Sequence, residues 1–256
     1  MSRFRHADVA ALVLAAGQGA RMESDVAKVL HPMSGQPMLA HVLTALDDLG
    51  VGRTLVVIGH QADRVRAAFR DAGVEWVLQG EQRGTGHAVL MAGPALEDFE
   101  GMLLVVCGDT PLLRAATLDT LLVRHRESGA SVTVLSTRVP DPAGYGRILR
   151  DAAGEVRGIV EDRDATPEQK GIVEINSGAY AFAYRDLARV LGRLTSRNVQ
   201  GEYYLTDTVR LLLAEGLKVA AWCGPDYREL LGINTVWQLQ EAERIHQGLD
   251  PREEGS

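Results

Sequence analysis

Cysteine is nearly absent from this 256-residue chain: Cys107 and Cys223 are the only two. They stand far apart in apolar, strand-like runs. That excludes a disulfide framework and a cysteine metal site, and it reads as buried thiols in a cytoplasmic protein. Positive charge is also short, with 27 basic against 34 acidic residues and a formal charge of −7. Non-specific binding to nucleic acid or a membrane surface is therefore not expected. No apolar run is long enough to span a membrane. Arg3, Arg5 and His6 ahead of Val9–Ala16 imitate a signal peptide, but the apolar stretch is short and Asp8 interrupts the basic region. There is no internal repeat, and no hexapeptide β-helix pattern. No Ser/His/Asp elbow, zinc spacing or Walker lysine motif is found either.

What is present begins with Leu12-Val13-Leu14-Ala15-Ala16-Gly17-Gln18-Gly19-Ala20-Arg21-Met22, followed by Lys28. An apolar run reads as a buried strand, and it breaks into a glycine loop. Gly17 and Gly19 let the backbone bend and approach a ligand, with peptide N–H groups aimed at phosphate oxygens. Arg21 adds a fork of donors and Lys28 a point charge. The plainer alternative is a tight strand-to-helix turn with solvated basic residues. Two cations in one loop of an acidic chain favour the phosphate site.

At 46% hydrophobic and 24% charged the composition is that of a globular protein, sized for one large domain or two small lobes. Pro37 opens a helix closed by Gly50. Strands are predicted at Arg53–Gly59, Val74–Leu78, Met102–Cys107 and Ala130–Val139, with helices at Gln61–Ala72, from Gly84 onward, and at Thr117–Ser128. This alternation implies an α/β fold whose mostly parallel sheet is covered on both faces. After Pro140, Tyr145–Leu149, Val156–Val160 and Val173–Tyr184 read as strands without long helices between them, a small inserted mixed or antiparallel region. Helices return at Arg185–Leu194 and Thr206–Glu215, then a strand at Lys218–Cys223 and a last helix at Val236–Gln247. The division is 1–140 for a nucleotide-binding lobe and 141–248 for the inserted region and closing helices, with 249–256 a disordered tail.

In open α/β sheets ligands sit beyond the carboxyl ends of the strands, where three segments carry notable residues. Gly108-Asp109 ends an apolar strand, and Asp109 either caps the next turn or holds a divalent cation. Gly84-Thr85-Gly86 is either a helix start with Thr85 as N-cap or a backbone surface for a flat base. In the second case Gln79 reads the base edge, its amide matching the imide edge of uracil. Glu161-Asp162-Arg163-Asp164 is either a solvated turn or a partner for sugar hydroxyls, and Asn176 in its strand needs a polar partner. Asn234 is either a helix N-cap or a neutral oxygen ligand for a metal. Histidines 31, 41, 60, 87, 125 and 246 read as packing or surface residues. A sugar 1-phosphate attacking a nucleoside triphosphate needs no general base, because its second pKa of about 6 leaves it mostly a dianion at neutral pH. What remains is alignment and charge neutralisation.

These residues resemble the sugar-phosphate nucleotidylyltransferases. The loop Leu14-Ala15-Ala16-Gly17 with Arg21 and Lys28 is shared with related cytidylyl- and guanylyltransferases. The later motifs narrow the likeness: Gln79-Gly80-Glu81-Gln82-x-Gly84-Thr85-Gly86-His87-Ala88, Gly108-Asp109, Gly144-Tyr145-Gly146-Arg147, Ile159-Val160-Glu161, Glu174-Ile175-Asn176, Gln200–Asp207 and Gly232-Ile233-Asn234. Together they resemble the uridylyltransferase domain of bacterial bifunctional N-acetylglucosamine-1-phosphate uridylyltransferases, over roughly residues 9 to 247. The resemblance implies a Rossmann-like nucleotide-diphospho-sugar transferase fold and the substrates UTP and N-acetylglucosamine 1-phosphate. It implies that Leu14, Ala15, Ala16, Gly17, Gly19, Gln79, Gly84, Thr85 and Gly108 hold the nucleotide and that Arg21 and Lys28 hold its phosphates. Asp109 and Asn234 would ligate Mg2+, and Gly146, Glu161 and Asn176 would hold the sugar. Two positions depart from the family: Gln18 where lysine is frequent, and Cys107 where tyrosine is common. The family's β-helix acetyltransferase is not in this sequence, so neither acetyl-CoA binding nor the trimer that the β-helix builds is expected. Alternatives are the same chemistry on glucose 1-phosphate, or a nucleotide-sugar sensor without turnover.

Overall fold

A computed structural model describes residues 5–19, 22 and 24–249. The chain opens with β1 (His6–Ala15), whose apolar residues are buried on both sides of the strand. A two-residue hairpin follows, β2 (Pro32–Met33) with β3 (Gln36–Pro37), leading into α1 (Met38–Leu49). Gly50 closes α1 in the left-handed region, φ 74°, a cap that costs glycine no steric strain. Next come β4 (Val51–Ile58), α2 (Ala62–Ala68), β5 (Glu75–Leu78), α3 (Thr85–Met91), β6 (Met102–Cys107), α4 (Ala115–Ser128) and β7 (Val132–Arg138). The rest comprises β8 (Arg147–Arg150), β9 (Val156–Val160), α5 (Pro167–Lys170), β10 (Glu174–Ala183), α6 (Tyr184–Leu191), α7 (Asp207–Ala214), β11 (Val219–Cys223) and α8 (Val236–His246). No helix among the described residues is long and apolar enough to cross a membrane.

The sheet runs β11-β7-β10-β6-β1-β4-β5, with β8 and β9 attached beside β10. The pairs β1–β4, β1–β6, β4–β5 and β7–β11 are parallel. Alternate residues of one strand enter different cores. Leu12 joins Val89, Leu187 and Leu212 beneath α3, α6 and α7. Val13 joins Leu46, Leu118 and Leu122 beneath α1 and α4. Burial on both faces explains why the central strands are apolar throughout rather than alternating, and each such side chain contributes roughly 1.5–3 kcal/mol. The fold is α/β, as the alternation of strands and helices implies.

Three expectations need correction, the first being Cys223, expected as a buried thiol but exposed at the end of β11. Val173–Tyr184 was assigned by pattern to the inserted region, whereas β10 lies inside the main sheet, antiparallel to both β6 and β7. Apolar periodicity reports burial and not the partner or direction of a strand. The consequence matters: a strand that runs backwards begins at the edge where its neighbours end. Asn176, early in β10, is thereby placed beside Ser136, late in β7. The helix expected over Gln61–Ala72 is only Ala62–Ala68, because Gln61 adopts φ 53° and Phe69 leaves helical geometry.

Candidate active site

Three remote segments meet at the carboxyl edge of the sheet. Lys28 sits in a 3-10 turn, Lys28–Leu30, after the glycine loop. Its Nζ donates to Asp109 Oδ2 and, at 2.8 Å, to Asn234 Oδ1. The Lys28 side chain is 12% exposed and that of Asp109 22%, so the charges face a partly desolvated space in which they interact more strongly than in water. Gly108 N–H donates to Leu14 O at 2.9 Å. A Cβ at Gly108 would lie 3.2 Å from that of Ala15, so glycine lets the two strand ends close up. Asp109 O in turn accepts from Ile233 N at 2.9 Å.

The capping alternatives resolve against the plainer readings. The N-cap of α8 is Thr235, which forms a reciprocal capping box with Gln238 and so leaves the Asn234 amide to other partners. Asn234 Nδ2 donates to Gly232 O at 3.1 Å, so Oδ1 faces Lys28. The N-cap of α3 is Gly84 rather than Thr85. Thr85 Oγ1 accepts from Leu205 N at 3.0 Å, across 120 residues. Gly84 has φ 103°, and a Cβ there would meet Tyr203 O at 2.6 Å, so only glycine fits.

Gln79 directly follows β5 and is almost fully buried, its Nε2 within 3.1 Å of Gly84 O and 3.0 Å of His87 Nδ1. Ala15 and Ala16 are buried at the end of β1, while Gly17 is exposed. Gly19, with φ 67°, packs against Lys28: a Cβ there would lie 2.7 Å from the lysine Cβ. Arg21, the other expected phosphate cation, lies outside the described residues, as do residues 250–256 of the expected tail.

A second cluster forms where β8, β9 and β10 meet. A Cβ at Gly146 would sit 3.4 Å from Glu161 Oε2 and 3.6 Å from Asn176 Cβ, and Asn176 N donates to Gly146 O at 2.8 Å. All three residues expected at the sugar are therefore neighbours. Glu161 Oε1 accepts from Thr206 Oγ1 at 2.8 Å. Burial pushes the Glu161 pKa up, reinforced by Asp164, Asp207 and Glu202 and only partly opposed by the threonine hydroxyl. Asn176 Nδ2 donates to Tyr180 Oη at 2.6 Å, and Asn176 Oδ1 accepts from Gly178 N at 3.0 Å. Cys107 lies between the clusters, under the influence of Asp109 and Lys28 on one side and Glu161 on the other, and burial first of all raises its thiol to about 12. The thiol stays protonated and unreactive. It packs on Gly178, where a Cβ would come within 2.8 Å of Sγ.

Sequence reasoning missed several supports. Gln61 accepts from Ala27 N at 3.1 Å through Oε1 and donates to Asp25 O, tying down the segment before Lys28. Thr206, Tyr180 and His87 each hold a candidate side chain. Their contacts cross 45, 4 and 8 positions, and of the three Thr206 and His87 stand inside motifs that could have drawn notice, while Tyr180 does not.

Among the described residues no group of three or more His, Cys, Asp and Glu is placed to hold a metal ion. The donor set that does converge is one carboxylate and one amide oxygen, already drawn around a single cation, Lys28. Such a pair fits Mg2+, which takes hard oxygen ligands and commonly keeps only one or two from protein beside substrate phosphates and water.

The MobA-like NTP transferase domain family matches residues 11–173. The bifunctional protein GlmU of Thermobifida fusca (strain YX) is 50% identical over 242 residues, 92% of this chain and 50% of that protein. The bifunctional protein GlmU of Heliobacterium modesticaldum (strain ATCC 51547 / Ice1) is 51% identical over 237 residues, 93% of this chain and 52% of that protein. The chain thus spans about half the length of the curated relatives it matches. A crystal structure of UDP-glucose pyrophosphorylase complexed with UDP-glucose superposes with a TM-score of 0.75, covering 93% of this chain and 98% of that one. Identity there is 16%, a likeness of fold alone. With more than half its length matched and a strand-end cluster of lysine, aspartate and asparagine, the chain belongs to the MobA-like NTP transferase domain family.

Proposed function

We propose that this protein is a Mg2+-dependent uridylyltransferase that makes UDP-N-acetylglucosamine and pyrophosphate from UTP and N-acetylglucosamine 1-phosphate. The observation that carries the reading is the meeting of Lys28, Asp109 and Asn234 at one strand end, beside the Gly146–Glu161–Asn176 cluster. The identity of about half over nearly the whole chain to the GlmU proteins supports the choice of substrates.

In this reading Leu14 to Gly17, Gly19, Gln79, Gly84, Thr85 and Gly108 hold the nucleotide. A phosphate oxygen of the sugar phosphate attacks the α-phosphorus. The bond from that phosphorus to the bridging oxygen breaks, and pyrophosphate leaves with the electron pair. No side chain has to remove a proton, because the sugar phosphate is already mostly a dianion at neutral pH. Lys28, with Arg21, binds the triphosphate and compensates the charge that grows on the departing group. Asp109 and Asn234 would hold Mg2+, which when bound supplies further charge neutralisation and aligns the phosphates. Glu161 and Asn176 fix the sugar by accepting from and donating to its polar groups, so that its phosphate lies in line. Cys107, packed on Gly178, stands where the family more often carries a tyrosine.

The test is pyrophosphate release from UTP and Mg2+ with N-acetylglucosamine 1-phosphate, glucosamine 1-phosphate and glucose 1-phosphate in parallel. Rapid release with the first alone is the expected result. Preference for glucose 1-phosphate would keep the mechanism and replace the sugar. Tight UTP binding without release from any of the three would make the protein a sensor.

A further inference from the structure

We infer that His87 is a positioning residue that sets the pyrimidine selectivity of this site by locking the Gln79 amide with its oxygen outward. The inference rests on the uridylyltransferase reading and adds a residue to it.

Gln79 is 3% exposed, so its amide cannot turn to water for partners. Its Nε2 lies 3.1 Å from Gly84 O and 3.0 Å from His87 Nδ1. A backbone carbonyl only accepts, which fixes the atom facing it as the amide nitrogen and not the oxygen. Both N–H groups are then committed, one to the carbonyl and one to the imidazole. His87 Nδ1 is then the acceptor of the second amide hydrogen, the role it takes in the tautomer with the proton on Nε2. The histidine is itself held in place: it lies in the first turn of α3, and its ring centroid is 6.3 Å from that of Tyr203. Gly86 N donates to Tyr203 O at 2.7 Å, so the tyrosine segment is bonded to the same turn.

Gln79 Oε1 takes part in no hydrogen bond among the described residues. The amide therefore offers a ligand one acceptor and no donor. The Watson–Crick edge of uracil has a single donor, N3–H, between two carbonyl oxygens, and that donor suits Oε1. Cytosine in the same pose turns the bare N3 lone pair toward Oε1, acceptor against acceptor. A freely turning glutamine would accommodate either base by exchanging its oxygen and nitrogen. The lock at His87 and Gly84 removes that choice, which is discrimination by an unmatched polar group rather than by size. Thymine shares the imide of uracil and is not excluded by this device.

The experiment compares kcat/KM for UTP and CTP, with N-acetylglucosamine 1-phosphate and Mg2+, in the wild type, His87→Leu and His87→Asn. The leucine keeps the bulk and removes the acceptor. The asparagine can return an oxygen near the position of Nδ1. The UTP:CTP ratio is expected to fall about tenfold in His87→Leu, the scale of one hydrogen bond. The change should lie in the KM values, with kcat nearly constant, and most of the ratio should return in His87→Asn. A merely structural histidine would weaken both nucleotides alike. An unchanged ratio, or a loss that His87→Asn does not restore, overturns the inference. If the wild type turns over neither nucleotide, the uridylyltransferase reading falls instead. Dissociation constants of UTP and CTP for the same three proteins then decide the lock by the same ratio.

Discussion

At the amino edge of the sheet, Arg126 donates to His6 Nδ1 at 3.2 Å and to both oxygens of Asp8, and His6 Nε2 meets Asp119 at 2.8 Å. At the carboxyl edge, Lys28 Nζ donates to Asp109 and Asn234, Glu161 has the Thr206 hydroxyl, and Gln79 Oε1 takes part in no hydrogen bond among the described residues. Both edges gather charged and polar groups. The first surrounds the buried His6 with partners from α4, as a fold requires of a buried polar group. The second leaves its groups in pairs that a ligand can exchange, at the strand ends where α/β sheets bind ligands. Substitutions at the two edges should therefore separate activity from stability.

The largest effect is expected at the carboxyl edge. Asp109→Asn keeps the shape and removes the charge, and kcat should fall about 10³-fold while the thermal midpoint moves by only a few degrees. Initial rates and a melting curve on one preparation measure both. A collapse of stability with little loss of rate would erase the contrast.

The next effect belongs to the amino-edge half. His125 Nδ1 lies 3.0 Å from Thr133 Oγ1 in a buried site. Burial, with help from the Arg126 charge, pulls its pKa down to about 4. Because the folded value lies below the unfolded one, the unfolded chain binds more protons between pH 4 and about 6.5. Stability is thus present above pH 6.5 and lost as the pH falls toward 4, by about 3 kcal/mol in all. Urea denaturation from pH 7.5 to 4 reads this slope, and His125→Gln should flatten it without altering turnover at pH 7.5.

A smaller effect separates the two clusters of the carboxyl edge. Glu161→Gln should raise the KM for the sugar phosphate about tenfold and leave the KM for UTP unchanged. An equal rise in both would mean that the clusters do not divide the substrates. The smallest effect should come from Asp119→Ala, which removes one partner of His6 and is expected to cost about 1 kcal/mol with kcat/KM intact. Denaturation and steady-state rates together check it.

Much of this was legible in the residues. The bounds of β6, β9 and α1 follow from apolar runs and from Gly50 as a stop, and the glycine loop points to Lys28 before any contact is seen. What was not legible depends on partners distant in the chain. The reversal of β10 leaves no mark in its own pattern, since a buried strand is apolar in either direction. The hairpin of β2 and β3 is too short for periodicity to show. Gln61 is a non-glycine residue in a left-handed turn, which its type does not announce. His87 looked like a packing residue because its function is to orient an amide eight positions away, and only the turn at Gly84 brings the two together.

The most direct test of the account is the Mg2+ dependence of pyrophosphate release from UTP and N-acetylglucosamine 1-phosphate, measured side by side in the wild type and Asp109→Asn. The account predicts that release by the wild type rises from nothing to saturation with Mg2+, and that Asp109→Asn stays about 10³-fold slower at every concentration. Equal rates for the two proteins at saturating Mg2+, or full wild-type release in the presence of a chelator, would contradict it.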